Sequence, residues 1–300
     1  MNIIGHKKQL NFLENSLKNN SISQSYIFSG PGGVGKFLIA NKFANSVSLG
    51  EESLDTPRKD NYENIVVVAP RSETKKGVTK IRDISIDDVR DAQKKLSTFP
   101  LNGKYNVLLI NDSERLNKSS QNALLKILEE PNSTSIIILI TSEENRILPT
   151  IKSRCQVLRF GLVPLAEMKQ ELSGMNSDVD LDNLILLSMG RPGMVFDMQS
   201  DSEELERRKN SYSDFRNIFS MELFDRLNKA EELAKDVGAA VSSLESWIWF
   251  LRIQGYKNIK SRDKLCSIYS AVEKIEKSLV KIKHTNSNPR LVMENLLINL

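Results

Sequence analysis

Apolar positions in the first 160 residues follow two rhythms. Short runs that are almost wholly apolar predict five strands: "SYIFSG" (25–30), "NIVVVAP" (64–70), "YNVLLI" (105–110), "SIIILI" (135–140) and "CQVLRF" (155–160). Between them, apolar residues recur every three or four positions. "FLIANKFANSV", following Lys36, predicts a helix. So does "SIDDVRDAQKKL" (85–96), where Ser85 and Asp88 make a capping box and Val89, Ala92 and Leu96 share a face. A third, "SSQNALLKILEE" (119–130), is stopped by Pro131. Strands this apolar belong to a sheet covered on both faces, and their alternation with helices predicts an α/β core with a five-stranded parallel sheet. Two stretches fit neither rhythm. Residues 50–64, polar and interrupted by Pro57, are expected as loop or irregular helix, and "RSETKKG" (71–77) as a loop.

After "RFGLVP" (159–164) the strand pattern stops. "LAEMKQEL" and "LDNLILLSMG" predict short helices, the second ending near Gly190. The expected organisation is a nucleotide-binding-like core over 1–162, a small helical lid over 163–203 and a helical collar over 204–300. In the last, Phe215, Ile218, Phe219, Leu223 and Leu227 are expected on one stripe. Leu265, Ile268, Val272, Ile275, Leu279 and Ile282 form another. That run is shorter than three heptads, so it predicts a bundle helix rather than a coiled coil. "SLESWIWFLRI" (243–253) is expected as the buried helix of the same bundle.

Composition narrows this picture. Three hundred residues allow about two domains, and 40% apolar with 27% charged residues is ordinary for a soluble protein. No run approaches the roughly 18 apolar residues of a membrane span, and "MNIIGHKKQL" lacks the apolar segment of a secretory signal. A cytoplasmic protein without a membrane partner is expected. Cys155 and Cys266 are the only cysteines, too few for a disulfide framework or a thiolate zinc site. A net charge of +4 permits contact with nucleic acid without arguing for it.

The candidate chemistry begins at "GPGGVGKF" (30–37). In a phosphate-binding loop, glycines let backbone amides turn inward around phosphates, a lysine neutralises the β and γ oxygens, and a following hydroxyl binds Mg²⁺. Gly30, Gly32, Gly33, Val34, Gly35 and Lys36 supply all of this except the hydroxyl, which Phe37 replaces. Hydrolysis also needs an acidic pair at the end of an apolar strand, and "VLLIND" ends in the neutral Asn111 followed by Asp112. Both departures fall on metal handling. The expectation is ATP or ADP binding without turnover, with no cofactor required. A glycine-rich turn without chemistry is the plainer alternative.

"TIKSRC" (150–155) sets Arg154 between the fourth and fifth strands. A guanidinium can stabilise charge developing on a transferred phosphoryl, and if supplied in trans it couples hydrolysis to assembly. A surface ion pair is the alternative. Cys155 reads as a small buried residue rather than a nucleophile, since neither His6 nor His284 is placed to activate it.

The run from "NDSERLNKSSQNALLKILEEPN" through "LPTIKSRCQVLRF" closely resembles the clamp-loader branch of the AAA+ proteins, and within it the delta-prime family of bacterial DNA polymerase III subunits. The family's Asn-Ala-Leu-Leu-Lys, Leu-Glu-Glu-Pro and Leu-Pro-Thr-Ile-x-Ser-Arg-Cys runs stand here at 122–126, 128–131 and 148–155, and "ISIDDVR" (84–90) matches the segment before the third strand. The resemblance covers roughly residues 1–200. The remainder matches only in length and helical character.

The resemblance implies an AAA+ core, a lid and a collar through which five subunits form an open ring. Its partners would be clamp-loader ATPase subunits and a delta subunit in a hetero-pentamer. That complex, within the polymerase holoenzyme, opens the sliding clamp and places it on primed DNA. Carried over, Arg154 would be an arginine finger offered to the neighbouring ATPase, held by Ser153 and Cys155. The family often carries a four-cysteine zinc module after the first strand; the corresponding interval here has no cysteine, so no zinc or other metal is expected. "GRPGMV" puts Met194 where the family has a γ-phosphate sensor arginine, and the nearby Arg191 does not inherit that role. Two other readings stay open. One is an active clamp-loader ATPase of the motor type. The other is a non-catalytic scaffold or nucleic-acid-binding protein using basic runs such as Lys75, Lys76 and Lys80 or Arg207, Arg208 and Lys209.

Overall fold

The computed structural model describes residues 3–54, 64–75, 78–100, 103–174, 180–285 and 287–300. The chain forms two compact units, one of residues 1–175 with 190–194, the other of 176–189 with 195–300.

The first unit runs α1 (Lys7–Lys18), β1 (Ser25–Ser29), α2 (Lys36–Leu49), β2 (Ile65–Val68), β3 (Ser72–Lys75), β4 (Val78–Ile81), α3 (Ile86–Leu96), β5 (Asn106–Ile110), α4 (Lys118–Glu129), β6 (Ser135–Thr141), α5 (Pro149–Lys152), β7 (Gln156–Arg159) and α6 (Leu165–Leu172). Five strands form one parallel sheet in the order β2-β5-β6-β1-β7. Every residue of β1, β5 and β6 is buried, as their composition requires of strands covered on both faces. Alternate residues feed two cores. Tyr26, Phe28, Val107, Leu109, Ile136 and Ile138 pack with Leu13, Ile39 and Phe43 of α1 and α2. Ile27, Leu108, Ile110, Ile137 and Leu139 pack with Val89, Leu124 and Ile151 of α3, α4 and α5.

The expected capping box forms. Ser85 Oγ accepts from the Asp88 amide at 3.3 Å, and the Ser85 amide donates to Asp88 Oδ2 at 2.9 Å. The segment expected as a loop after β2 is different. Ser72–Lys75 is a strand, paired antiparallel to Val78–Ile81 through Thr74 opposite Thr79. Thr74, Val78, Thr79 and Ile81 are β-branched and favour extended backbone, which outweighs the polar composition. Lys76 and Gly77, and residues 55–63 of the expected loop at 50–64, lie outside the described residues.

The second unit is helical: α7 (Leu181–Leu187), most of α8 (Pro192–Ser200), α9 (Ser202–Ile218), α10 (Leu223–Ala234), α11 (Val237–Lys257), α12 (Arg262–His284) and α13 (Pro289–Asn299). Trp247 on α11 is wholly buried and donates through Nε1 to the Ser211 carbonyl at 3.2 Å. Phe215 stacks against Trp247 and Phe250. The stripe expected over Phe215–Leu227 is broken, because α9 ends at Ile218. Phe215 and Ile218 are buried, whereas Phe219 and Leu223, in the turn and at the next helix start, are exposed. Along α12 the predicted stripe deepens, from half-buried Leu265, Ile268 and Val272 to buried Ile275, Leu279 and Ile282.

Candidate functional site

The phosphate-loop segment begins where β1 leaves the sheet. The Gly30 amide donates to the Thr141 carbonyl at 3.2 Å, and the Phe160 amide donates to the Ser29 carbonyl at 2.7 Å, so the loop starts flush with its neighbours. A β-carbon on Gly30 would run into the Phe160 carbonyl oxygen, which makes glycine obligatory there. Gly35, with φ 98°, turns the chain into α2 in a conformation other residues resist. In a parallel sheet, ligands bind beyond the carboxyl ends of the strands, and this loop lies at that end of β1, a central strand.

Lys36 is buried, and its ammonium donates to the Gly30 and Pro31 carbonyls at 2.5 and 2.6 Å. Burial lowers its pKa to about 8; the nearby carboxylates of Glu114 and Asp112 resist the fall, and Arg191 adds to it. Lys36, Asp112, Glu114 and Arg191 therefore form one electrostatic cluster. Asn111 donates through Nδ2 to Asp112 Oδ2 at 3.3 Å. Asp112 adopts a left-handed backbone, φ 47°, and its pKa is raised, first by burial and then by Glu114. Glu114 accepts from the Ser142 amide at 3.3 Å, tying the end of β5 to the end of β6.

Phe37 is 40% exposed, an apolar ring where a metal-binding hydroxyl would stand. Asn111 offers an uncharged amide oxygen in place of a carboxylate, so the two positions expected to handle Mg²⁺ have lost the hydroxyl and the negative charge. Among the described residues, no group of three or more His, Cys, Asp or Glu is arranged to hold a metal.

Two contacts were not legible in the sequence. The Gly193 amide donates to the Gly33 carbonyl at 2.8 Å, while Arg191 and Met194 flank Gly33, so "GRPGMV" lies directly on the phosphate loop. Met194 thus stands beside the loop, offering no charge. His6 donates through Nε2 to the Val34 carbonyl at 3.0 Å and sets its ring edge-on to Phe160. Burial lowers its pKa and favours the neutral ring.

Arg154 belongs to a different constellation, in the turn between α5 and β7. Its Nη2 donates to Glu129 Oε1 at 3.0 Å, and Nη1 donates to the Thr150 carbonyl at 3.1 Å and to Ser153 Oγ at 3.4 Å. Its side chain is 38% exposed. The buried Gln121 fastens the preceding segment: Nε2 donates to the Leu116 and Arg146 carbonyls, and Oε1 accepts from the Leu148 amide. Burial pushes the Cys155 thiol up to about 12, so it stays protonated and poorly nucleophilic.

The parallel register fixes where Arg154 sits. Tyr26 pairs with Gln156 and Ser29 with Arg159, so Gly30 is level with Phe160 and Arg154 precedes the start of β7. The four steps from Gln156 to Phe160 alone span about 13 Å. Arg154 and the phosphate loop are at opposite ends of the sheet.

The predicted basic runs resolve differently. Arg207 and Arg208 both pair with Glu204, and Lys209 pairs with Glu206. Arg208 is buried and also donates to the Leu187 carbonyl at 3.4 Å, so the run is not a basic stripe: Arg207 and Lys209 are exposed beside their acidic partners and Arg208 is not. Lys75 and Lys80 lie on the β3–β4 hairpin, and Lys76 lies outside the described residues.

A glycine-rich phosphate loop after the first strand of this parallel sheet, followed by helical segments, defines an AAA+-like α/β protein. The chain belongs to the family described as "DNA polymerase III, delta subunit", whose model matches residues 5–163. It is similar to DNA polymerase III subunit tau of Bacillus subtilis, 32% identical over 61% of this chain and 32% of that protein. It is also similar to the delta' subunit of the same organism, 29% identical over 50% of this chain and 46% of that protein. The chain thus spans about a third to a half of the length of these relatives. Their similar identities support a clamp-loader-related group and do not single out delta-prime. Among solved structures, a gamma subunit-related protein of DNA polymerase III from Thermotoga maritima covers 97% of this chain and 98% of its own, at 19% identity and TM-score 0.42. A likeness that low adds nothing to the assignment. Among the described residues, no helix is long and apolar enough to cross a membrane.

Proposed function

We propose that this chain is a delta-prime-type subunit of a bacterial replicative clamp loader. In this reading it joins ATPase subunits and a delta subunit in a hetero-pentamer that places the sliding clamp on primed DNA. It lends Arg154 to a neighbour's ATP site and does not itself turn over ATP. The division into core 1–162, lid 163–203 and collar 204–300 belongs to the same proposal.

The observation that carries it is the separation of Arg154 from the chain's own phosphate loop. An arginine at the opposite end of the sheet cannot serve phosphates held beyond Gly30, whereas a half-exposed guanidinium is available to another subunit. The loop itself supports the other half of the reading. Lys36 and the backbone amides remain suited to phosphate, while Phe37, Asn111 and Met194 remove metal and γ-phosphate contacts. ATP or ADP would be held with little dependence on Mg²⁺.

A motor-type ATPase is the second reading. It is favoured by the intact glycines and by the cluster of Lys36, Asp112 and Glu114. Steady-state phosphate release by the purified chain with ATP and Mg²⁺ separates the two. Background-level release agrees with the proposal; turnover that disappears in K36A would establish the motor reading instead.

A further inference from the structure

We propose that Glu129 is the positioning residue for Arg154, a role that rests on the trans-acting arginine proposed above. Glu129 is the last residue of α4, followed by Glu130 and then Pro131, which cannot continue the helix. The helix macrodipole disfavours a carboxylate at this end, where unsatisfied carbonyls already concentrate negative charge. Helix stability therefore gives no account of an acid here. Its partner does: Glu129 Oε1 receives Arg154 Nη2 at 3.0 Å.

That bond completes a three-point grip. The Thr150 carbonyl of α5 and Ser153 Oγ hold Nη1, both from the chain just before Arg154, while Glu129 holds Nη2 from a separate helix. The local acceptors alone leave the guanidinium plane free to swing. The contact from α4 ties it to the rigid core, since Leu124, Ile127 and Leu128 of the same helix are buried against the sheet. An arginine that acts across an interface must give up rotamer freedom there. Ordering it beforehand removes that cost from the step in which the partner's phosphates are engaged. The pair is half-exposed on both sides, so the grip is weak enough to yield to a more highly charged partner.

The test uses the complex reconstituted with its clamp-loader ATPase partners, comparing wild type, E129A, E129Q, R154A and E129A/R154A. Both kcat and KM for ATP are measured with assembly checked. E129A is expected to lower kcat about two- to fivefold at the site facing Arg154, with KM unchanged. E129Q keeps an acceptor oxygen and is expected to recover most of that loss. In the R154A background, E129A is expected to change nothing further. The proposal is overturned if R154A is impaired while E129A matches or exceeds wild type. It is equally overturned if E129A costs as much in the R154A background as alone, the mark of a purely structural effect. If R154A itself equals wild type, the trans-acting reading fails first and the role of Glu129 falls with it.

Discussion

The Gly193 amide donates to the Gly33 carbonyl at 2.8 Å, so the start of α8 is fastened to the middle of the phosphate loop. A β-carbon at Gly193 would lie 2.9 Å from that same oxygen. G193A should therefore push the two segments apart and break the bond. Hydrogen exchange at residues 30–36 is expected to quicken by a factor corresponding to about 1 kcal/mol, with the sheet's protection unchanged. Unaltered loop protection would show that the contact does not constrain the loop.

Lys36 gives a pH signature. Its pKa falls from 10.5 in the unfolded chain to about 8 in the folded one. Between those values the unfolded state binds more protons, so stability rises with pH across that window. Burying the ammonium thus costs stability below pH 8, and the cost is relieved as pH climbs toward 10.5. Relative to K36M, the wild-type core should gain up to about 3 kcal/mol over this interval. Denaturant unfolding of both proteins at pH 7.5 and 10 measures the difference; a constant gap would mean the ammonium is solvated.

The capping box at α3 also makes stability rise with pH, but there the charged form is favoured rather than penalised. The Ser85 hydroxyl, and with it the Ser85 amide and Arg71, holds Asp88 below its usual carboxylate range. A depressed folded pKa contributes stability that is present above the unfolded value and lost as pH falls through the folded one. S85A should cost about 1 kcal/mol at pH 7. D88N should be destabilising at pH 7 and converge on wild type below the folded pKa of Asp88. Thermal unfolding followed downward from pH 7 should show the gap narrowing, and a gap that stays constant as pH falls would remove the charge from the explanation.

What was legible in the sequence followed from burial on two faces. β1, β5 and β6 are uniformly apolar because both sides are covered, and they could be read directly. α1 was not, since only Leu13, Ser16 and Leu17 are buried in a helix whose remaining residues are mostly polar. The β3–β4 hairpin was hidden by its lysines and glutamate, because its pairing depends on backbone bonds that composition does not report. The loop motif was recognisable from glycine spacing. His6, Glu114 and Ser142 were missed because each reaches the site through the fold: His6 binds Val34, and Glu114 meets Ser142 across neighbouring strand ends. The separation of Arg154 from Gly30 likewise required the strand register, which no local pattern encodes.

The proposed action of Arg154 on a neighbour's nucleotide is tested by DNA-stimulated ATP hydrolysis in the assembled complex carrying R154K. Lysine keeps the positive charge but loses the planar fork that holds two acceptors at once. A trans-acting arginine is worth roughly 10³–10⁵ at its own site in well-studied GTPases, so the facing site should fall silent while the others continue. Total rate is expected to drop in part and clamp loading to slow, with assembly intact by size-exclusion chromatography. Wild-type hydrolysis and loading by a correctly assembled R154K complex, with R154A behaving the same way, would contradict it.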